Sequence, residues 1–136
     1  MGERSASIFY VEDSPGDILL IRTAFDEFGR RVTFEVAVDG QSALRRLESF
    51  ARRPATRPDM ILLDLNLPGV SGFEILAQLR NGVSLPVPVV VLTTSSADAD
   101  RERCKALGCE AYLEKPTKYS EYRGLVKEIE RMLVAG

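Results

Sequence analysis

The chain contains no histidine. That absence removes Ser-His-Asp and Cys-His nucleophile systems, zinc held by imidazole, and any phosphohistidine carried by the chain itself. Cysteine is scarce as well. Cys104 and Cys109 are the only two; both fall in or beside one predicted helix, where they read as free thiols and cannot build a metal cluster. No apolar run approaches the ~20 residues of a membrane span, and Met1 to Ser7 is polar with no signal-peptide core behind it. The start also fails the myristoylation pattern, since Ala6 stands where Ser or Thr is required. The expected setting is therefore cytoplasmic, with no membrane. A net charge of −2, from 18 Lys and Arg against 20 Asp and Glu, leaves no basic field, so nucleic-acid binding is not expected.

What remains is an ordinary globular composition, 45% hydrophobic and 28% charged over 136 residues, which fits one domain spanning 1–136 with no second module. Its centre is the stretch MILLDLNLPGVSG, Met60 to Gly72. Four apolar residues, Met60 to Leu63, suit a strand buried on both faces, and they run into one carboxylate, Asp64. Pro68, Gly69 and Gly72 then mark a loop before Phe73 opens a new apolar period. Asp64 is thus placed at the carboxyl end of a strand, the edge at which open α/β sheets bind ligands.

The rest of the chain repeats that arrangement. Ser7 to Val11 is a short strand ending in Glu12 and Asp13; Ser14 can cap a helix with Pro15 in its first turn and Asp17 near its positive end, striped by Ile18, Ile21, Phe25 and Phe28. Val32, Phe34, Val36 and Val38 alternate with more polar residues, as near a sheet edge, and Asp39-Gly40 turns the chain. Ala43, Leu44, Leu47 and Phe50 stripe a second helix, followed by the basic, proline-containing loop Arg52 to Pro58. Phe73, Leu76, Ala77 and Leu79 mark a third helix. Val89 to Leu92 forms a fourth strand ending in Thr93 and Thr94, and Ser95 or Ser96 can cap a fourth helix stopped by Gly108. Ala111 to Leu113 is a fifth strand leading to Glu114, Lys115 and Pro116, and Tyr119 or Ser120 opens a fifth helix. Strict alternation with short loops predicts a three-layer α/β sandwich, (βα)5, with a parallel sheet in the flavodoxin-like order 2-1-3-4-5.

In that order the first and third strands are neighbours, so Glu12, Asp13 and Asp64 converge. Two bare carboxylates ~4 Å apart repel by ~4 kcal/mol at an effective dielectric of 20. Lys115 can answer part of that charge, whereas Mg²⁺ takes carboxylate oxygens while keeping waters and a phosphate. Such a site suits phosphoryl chemistry: Asp64 as a carboxylate nucleophile, the metal and Lys115 balancing equatorial charge, and the Thr93 hydroxyl donating a hydrogen bond. Singly, an Asp there is a helix cap, Thr93 a turn residue and Lys115 a solvated cation. Complementary chemistry at four strand ends together is what points to a site.

The stretches Tyr10-Val11-Glu12-Asp13, Leu63-Asp64 through Pro68 and Gly72, Val91-Leu92-Thr93, and Tyr112-Leu113-Glu114-Lys115-Pro116 resemble the receiver domain of two-component response regulators. By EDSPGDILLI, LDLNLPGVSG and TTSSADAD the chain is similar to the small single-domain regulators paired with bacterial phytochromes. The resemblance implies phosphorylation of Asp64 by a sensor histidine kinase, such as a bacterial phytochrome, or by a phosphotransfer protein. It implies Mg²⁺ held directly by Asp13 and Asp64, by Glu12 through water and by the Asn66 backbone carbonyl. It further implies that Thr93 and Lys115 hold the phosphoryl group, that the Lys115-Pro116 bond is cis, and that Tyr112 turns inward as Thr93 moves. The surface of the fourth helix, fifth strand and fifth helix is then reshaped. Asn66, Thr94 and Ser95 occupy positions that tune phosphate lifetime, and no output domain is expected after the fifth helix. The protein would catalyse only its own phosphoryl transfer and dephosphorylation.

The long apolar stripe of the fifth helix, with Tyr122, suggests a homodimer through the same surface. Two other readings stay open. A haloacid-dehalogenase-like, Mg²⁺-dependent phosphatase also uses an Asp after a strand, but its D-x-D lies near the chain start, and Asp64-Leu65-Asn66 offers an amide where the general acid belongs. A flavin- or nucleotide-binding module would need a phosphate-cradling loop, and neither GxGxxG nor a Walker sequence is present.

Overall fold

The computed structural model describes residues 5–83 and 85–135, with side chains as far as residue 133; the polar start at residues 1–4 lies outside the described residues. Five parallel strands form one sheet in the order β2-β1-β3-β4-β5: β1 (Ala6–Val11), β2 (Val32–Ala37), β3 (Met60–Leu63), β4 (Val89–Thr93) and β5 (Ala111–Glu114). The helices between and after them are α1 (Pro15–Phe28), α2 (Gly40–Arg52), α3 (Gly72–Asn81), α4 (Asp98–Ala106) and α5 (Tyr122–Ala135). This is the expected flavodoxin-like fold. None of the described helices is long and apolar enough to cross a membrane.

The central strands are buried on both faces because each face carries helices. Ile8 and Tyr10 of β1 pack with Ile21 and Phe25 of α1 and with Val126 and Ile129 of α5. Phe9 and Val11 point the other way, into Ala43, Leu47 and Phe50 of α2 and Ile75 and Leu76 of α3. All four residues of β3 are fully buried, and each such side chain contributes roughly 1.5–3 kcal/mol on transfer from water. β2 is the edge strand that its alternation foretold: Val32, Phe34 and Val36 are half-buried, whereas Thr33 and Glu35 are exposed.

Helix starts follow local chemistry. Ser14 caps α1 by accepting the Asp17 N–H, and Asp39 caps α2 by accepting the Ser42 N–H, so the Asp39-Gly40 turn is a helix entry. Ser71 and Glu74 form a capping box at α3. α4 differs from expectation. Its cap is Ala97, which makes no side-chain bond, because the Ser95 hydroxyl is engaged earlier, accepting from the Ala97 N–H and donating to Asp100. At the last connection a short 3₁₀ turn, Tyr119–Glu121, precedes α5.

Two glycines position the β3-α3 loop. Gly69 has φ 76°, the left-handed region. A Cβ on Gly72 would stand 2.6 Å from the Asp64 carbonyl oxygen and 2.7 Å from the Leu65 Cα, so only glycine lets α3 begin this close to the end of β3. The loop Arg52 to Pro58 contains a 3₁₀ turn, Pro54–Thr56, with no buried residue in that turn.

Candidate functional site

Register places the acidic residues before any side chain is considered. Val11 of β1 pairs with Leu63 of β3, so Glu12 and Asp64 are the next residues of two adjacent strands. Their backbones are fixed by further bonds: the Asp64 N–H donates to the Val11 carbonyl at 3.0 Å and the Glu12 N–H to the Ala37 carbonyl at 2.9 Å. Glu12 and Asp64 are buried, Asp13 is exposed, and one carboxylate oxygen from each of the three lies within 4.8 Å of the other two. Asp13 therefore forms the open side of the cluster.

Lys115 reaches this corner from the far end of the sheet. Thr93 of β4 pairs with Glu114 of β5, and the Lys115 N–H donates to the Thr93 carbonyl at 2.8 Å. From there the ammonium meets three carboxylates: Glu12 Oε1 at 2.7 Å, Asp17 Oδ2 at 2.7 Å and Asp64 Oδ2 at 3.0 Å. Its side chain is only 7% exposed. Burial alone would weaken the charge, yet the bonds from Asp17, Glu12 and Asp64 outweigh it and hold the ammonium pKa above the ordinary lysine value. Glu12 is pushed the other way for an acid: burial, aided by neighbouring Asp64, raises its pKa, and the bond to Lys115 only partly offsets this.

The remaining anticipated residues are dispersed around the corner. The Asn66 N–H donates to Asp64 Oδ1 at 3.1 Å, and the Asn66 side chain is exposed. Thr93 is fully buried at the end of β4, Thr94 is exposed, and Ser95 is half-buried. Tyr112 on β5 packs against the α2–α4 side of the core and donates its hydroxyl to the Ser95 carbonyl at 2.9 Å. The Arg101 guanidinium lies 4.5 Å over the Tyr112 ring. Pro116 follows Lys115 through a trans bond, since no cis peptide occurs among the described residues. That corrects the expectation at Lys115-Pro116: trans is the lower-energy isomer of an X-Pro bond by about 0.5–1 kcal/mol, and Lys115 already reaches its carboxylates from it.

Two participants went unrecognised in the sequence. Tyr10 donates its hydroxyl to Glu12 Oε1 at 3.2 Å; residues two apart on a strand share a face, so the pairing was available from periodicity. Asp17 was assigned only to the helix dipole, and its bond to Lys115 depends on α1 and α5 packing side by side, which no local pattern reports. The α5 stripe that suggested a dimer also has another use: Tyr122, Leu125, Val126 and Ile129 are buried in the core beside α1.

The fold and this corner together define a class: a flavodoxin-like domain whose carboxyl edge presents a buried acidic pair, an exposed aspartate and a lysine. The chain belongs to the response regulator receiver domain family, which it matches over residues 8–127, and is thus a two-component signalling protein. It is 38% identical over 123 residues to the probable methanogenesis regulatory protein FilR2 of Methanothrix harundinacea, covering 90% of this chain and 79% of that one. Among solved structures, it is similar to the phosphorylated cyanobacterial phytochrome response regulator RcpA (TM-score 0.84, 36% identity, 96% of this chain and 95% of that one). It is likewise similar to the Mn²⁺-bound response regulator Rcp1 (TM-score 0.79, 33% identity, 92% and 91%). The family is one of regulators, and nothing favours the phosphatase reading; the acidic corner is the place where a receiver binds a divalent cation.

Proposed function

We propose that the protein accepts a phosphoryl group on Asp64 from a histidine kinase or phosphotransfer protein and passes the event to the surface formed by α4, β5 and α5. The observation that supports this best is the Lys115 ammonium bonded to Asp64 beside Glu12, a pre-assembled charge site at the end of the central strand. In the transfer step an Asp64 carboxylate oxygen attacks phosphorus, and the P–N bond of the donor imidazole breaks with its electron pair returning to the ring nitrogen. Lys115 donates to an equatorial oxygen of the transferring group, and the Thr93 hydroxyl, which accepts only a weak contact from the Ser95 N–H at 3.5 Å, donates its proton to another.

The oxygen donors fit Mg²⁺: Asp13 and Asp64 would ligate directly, Glu12 through water and Asn66 by its carbonyl, and the ion when bound neutralises charge developing on the phosphoryl oxygens. Hydrolysis of the acyl phosphate is the only other chemistry assigned to the protein, with exposed Thr94 and the Asn66 and Ser95 positions setting its rate. Similarity to RcpA favours a phytochrome-type sensor kinase as donor, and a cytoplasmic setting. The α4, β5 and α5 surface serves a protein partner or a second copy. Since the α5 stripe faces the core, such a dimer would form through exposed polar residues of that surface.

Incubation with acetyl phosphate and Mg²⁺ should add one phosphoryl group, mapped to Asp64 by borohydride trapping and mass spectrometry. Asp64→Asn should abolish it. A phosphoryl group mapped elsewhere with Asp64 unmodified would overturn the assignment.

A further inference from the structure

The Lys115 ammonium donates to Asp17 and Asp64 and lies at ion-pair distance from Glu12 as well, but those three carboxylates are not equivalent. Glu12 and Asp64 belong to the cluster whose oxygens lie within 4.8 Å of one another. Asp17 does not. It sits in the first turn of α1, where its backbone N–H is tied to the capping Ser14 hydroxyl at 3.2 Å, and α1 is pinned beside α5 through Ile21, Ala24, Phe25, Val126 and Ile129. Its carboxylate is therefore presented to Lys115 from outside the acidic corner by a rigid element, at 2.7 Å, as close as Glu12.

A divalent cation held by Asp13 and Asp64 directly and by Glu12 through water would draw on two of the carboxylates that face Lys115 and repel the ammonium a few ångströms away. Lys115 would then share two of its three partners with the ion and gain a like-charge neighbour. We infer that Asp17 is a positioning residue for Lys115, keeping the ammonium beside Asp64 while Glu12 and Asp64 are given over to a divalent cation. Without the Asp17 charge, Lys115 falls back on Glu12 and Asp64 and contends with the cation for them.

The inference rests on the divalent-cation reading above, and its test separates the two. Mg²⁺ binding to the full chain is measured by calorimetry in wild type, Asp17→Asn, Lys115→Met and the double variant, with Lys115→Gln as a polar alternative to Met. Asp17→Asn should weaken Mg²⁺ binding by about fivefold, a coupling of ordinary size for neighbours in one ion-pair network, and by less than about twofold once Lys115 is replaced. Equal weakening in both backgrounds, or none in either, would overturn the inference, because Asp17 would then act without Lys115. In the metal-free protein the Lys115 ammonium, buried among three carboxylates, should give an observable ¹H–¹⁵N signal that disappears in Asp17→Asn; an unchanged signal would overturn it as well. Wild type that shows the ammonium signal, loses it in Asp17→Asn and binds no Mg²⁺ would remove both the cation reading and the proposed role toward it, leaving only the resting contact.

Discussion

The two halves of the carboxyl edge are held in opposite ways. At the acidic corner Lys115 is 7% exposed and Asp64 5%, and the ammonium lies within 3.0 Å of three carboxylates. At the α4–β5 rim the Arg101 and Glu114 side chains are 46% and 48% exposed and pair at 3.2 Å, with Arg101 lying over Tyr112. A charge buried without partners costs several kcal/mol, so the corner has one arrangement that satisfies it. An exposed pair contributes about 0–1 kcal/mol, so the rim can be rearranged at small cost. The difference separates the two proposed roles: the groups proposed to react are fixed by burial, and the surface proposed to answer carries an exposed ion pair that can be rearranged. Tyr112 spans the two, because its hydroxyl bonds the carbonyl of Ser95, two residues beyond Thr93.

The sharpest way to break this contrast is to remove the cation from the corner. Lys115→Ala should cost the metal-free protein roughly 3 kcal/mol, the lower end for breaking a buried pair, since Glu12, Asp17 and Asp64 are left together. Saturating Mg²⁺ should restore most of it, as measured by urea unfolding with and without chelator; an equal loss in both conditions would show that Lys115 is not balancing those acids.

Next in size is the backbone that carries Asp64. Gly72→Ala should cost about 2 kcal/mol, because the new Cβ meets main-chain atoms that cannot rotate away. Gly124→Ala is its control. Nothing lies within 4 Å of a Cβ there, and the helical site should gain about 0.5–1 kcal/mol. If thermal unfolding ranks the two variants the other way, close approach of α3 to Asp64 does not set the corner.

An effect of similar size comes from Glu12. Its folded-state pKa is raised from 4.5 to about 7, so the stability linked to its protonated form is present below the unfolded pKa and lost as pH rises through about 7. Metal-free protein should therefore drop by roughly ten degrees in Tm from pH 5 to pH 8, and saturating Mg²⁺, which favours the carboxylate, should flatten that slope. A Tm that climbs with pH in chelator would contradict the burial argument.

Smallest is Arg101→Ala at the rim, expected to cost less than about 1 kcal/mol and to leave phosphorylation by acetyl phosphate unchanged. It should instead broaden the ring signals of Tyr112, since the guanidinium no longer covers them. Slowed phosphorylation would mean that the rim is coupled to the chemistry in the resting state, and the contrast would fail.

Much of this site was legible in residue order. The strand ends at Asp64, Thr93 and Lys115, the cap at Ser14 and the edge character of β2 all follow from local pattern, because apolar runs end where the sheet ends. What was misjudged turned on contacts that hydrophobic period does not report, some local and some far along the chain. Ser95 looked like a cap, yet Asp100 and the Ala97 N–H hold its hydroxyl before α4 begins. The α5 stripe looked surplus until α1 was seen against it.

The sequence by itself determined that the chain alternates strand and helix and that its polar residues fall at the strand ends, since period and punctuation are properties of neighbouring residues. Only the tertiary structure decided that Lys115, from the far strand, would be shared among Glu12, Asp17 and Asp64. The reason is geometric. Which carboxylates surround a buried ammonium depends on the packing of α1 beside α5 and the register of β1 on β3, and that arrangement exists only once the whole sheet has closed around its core.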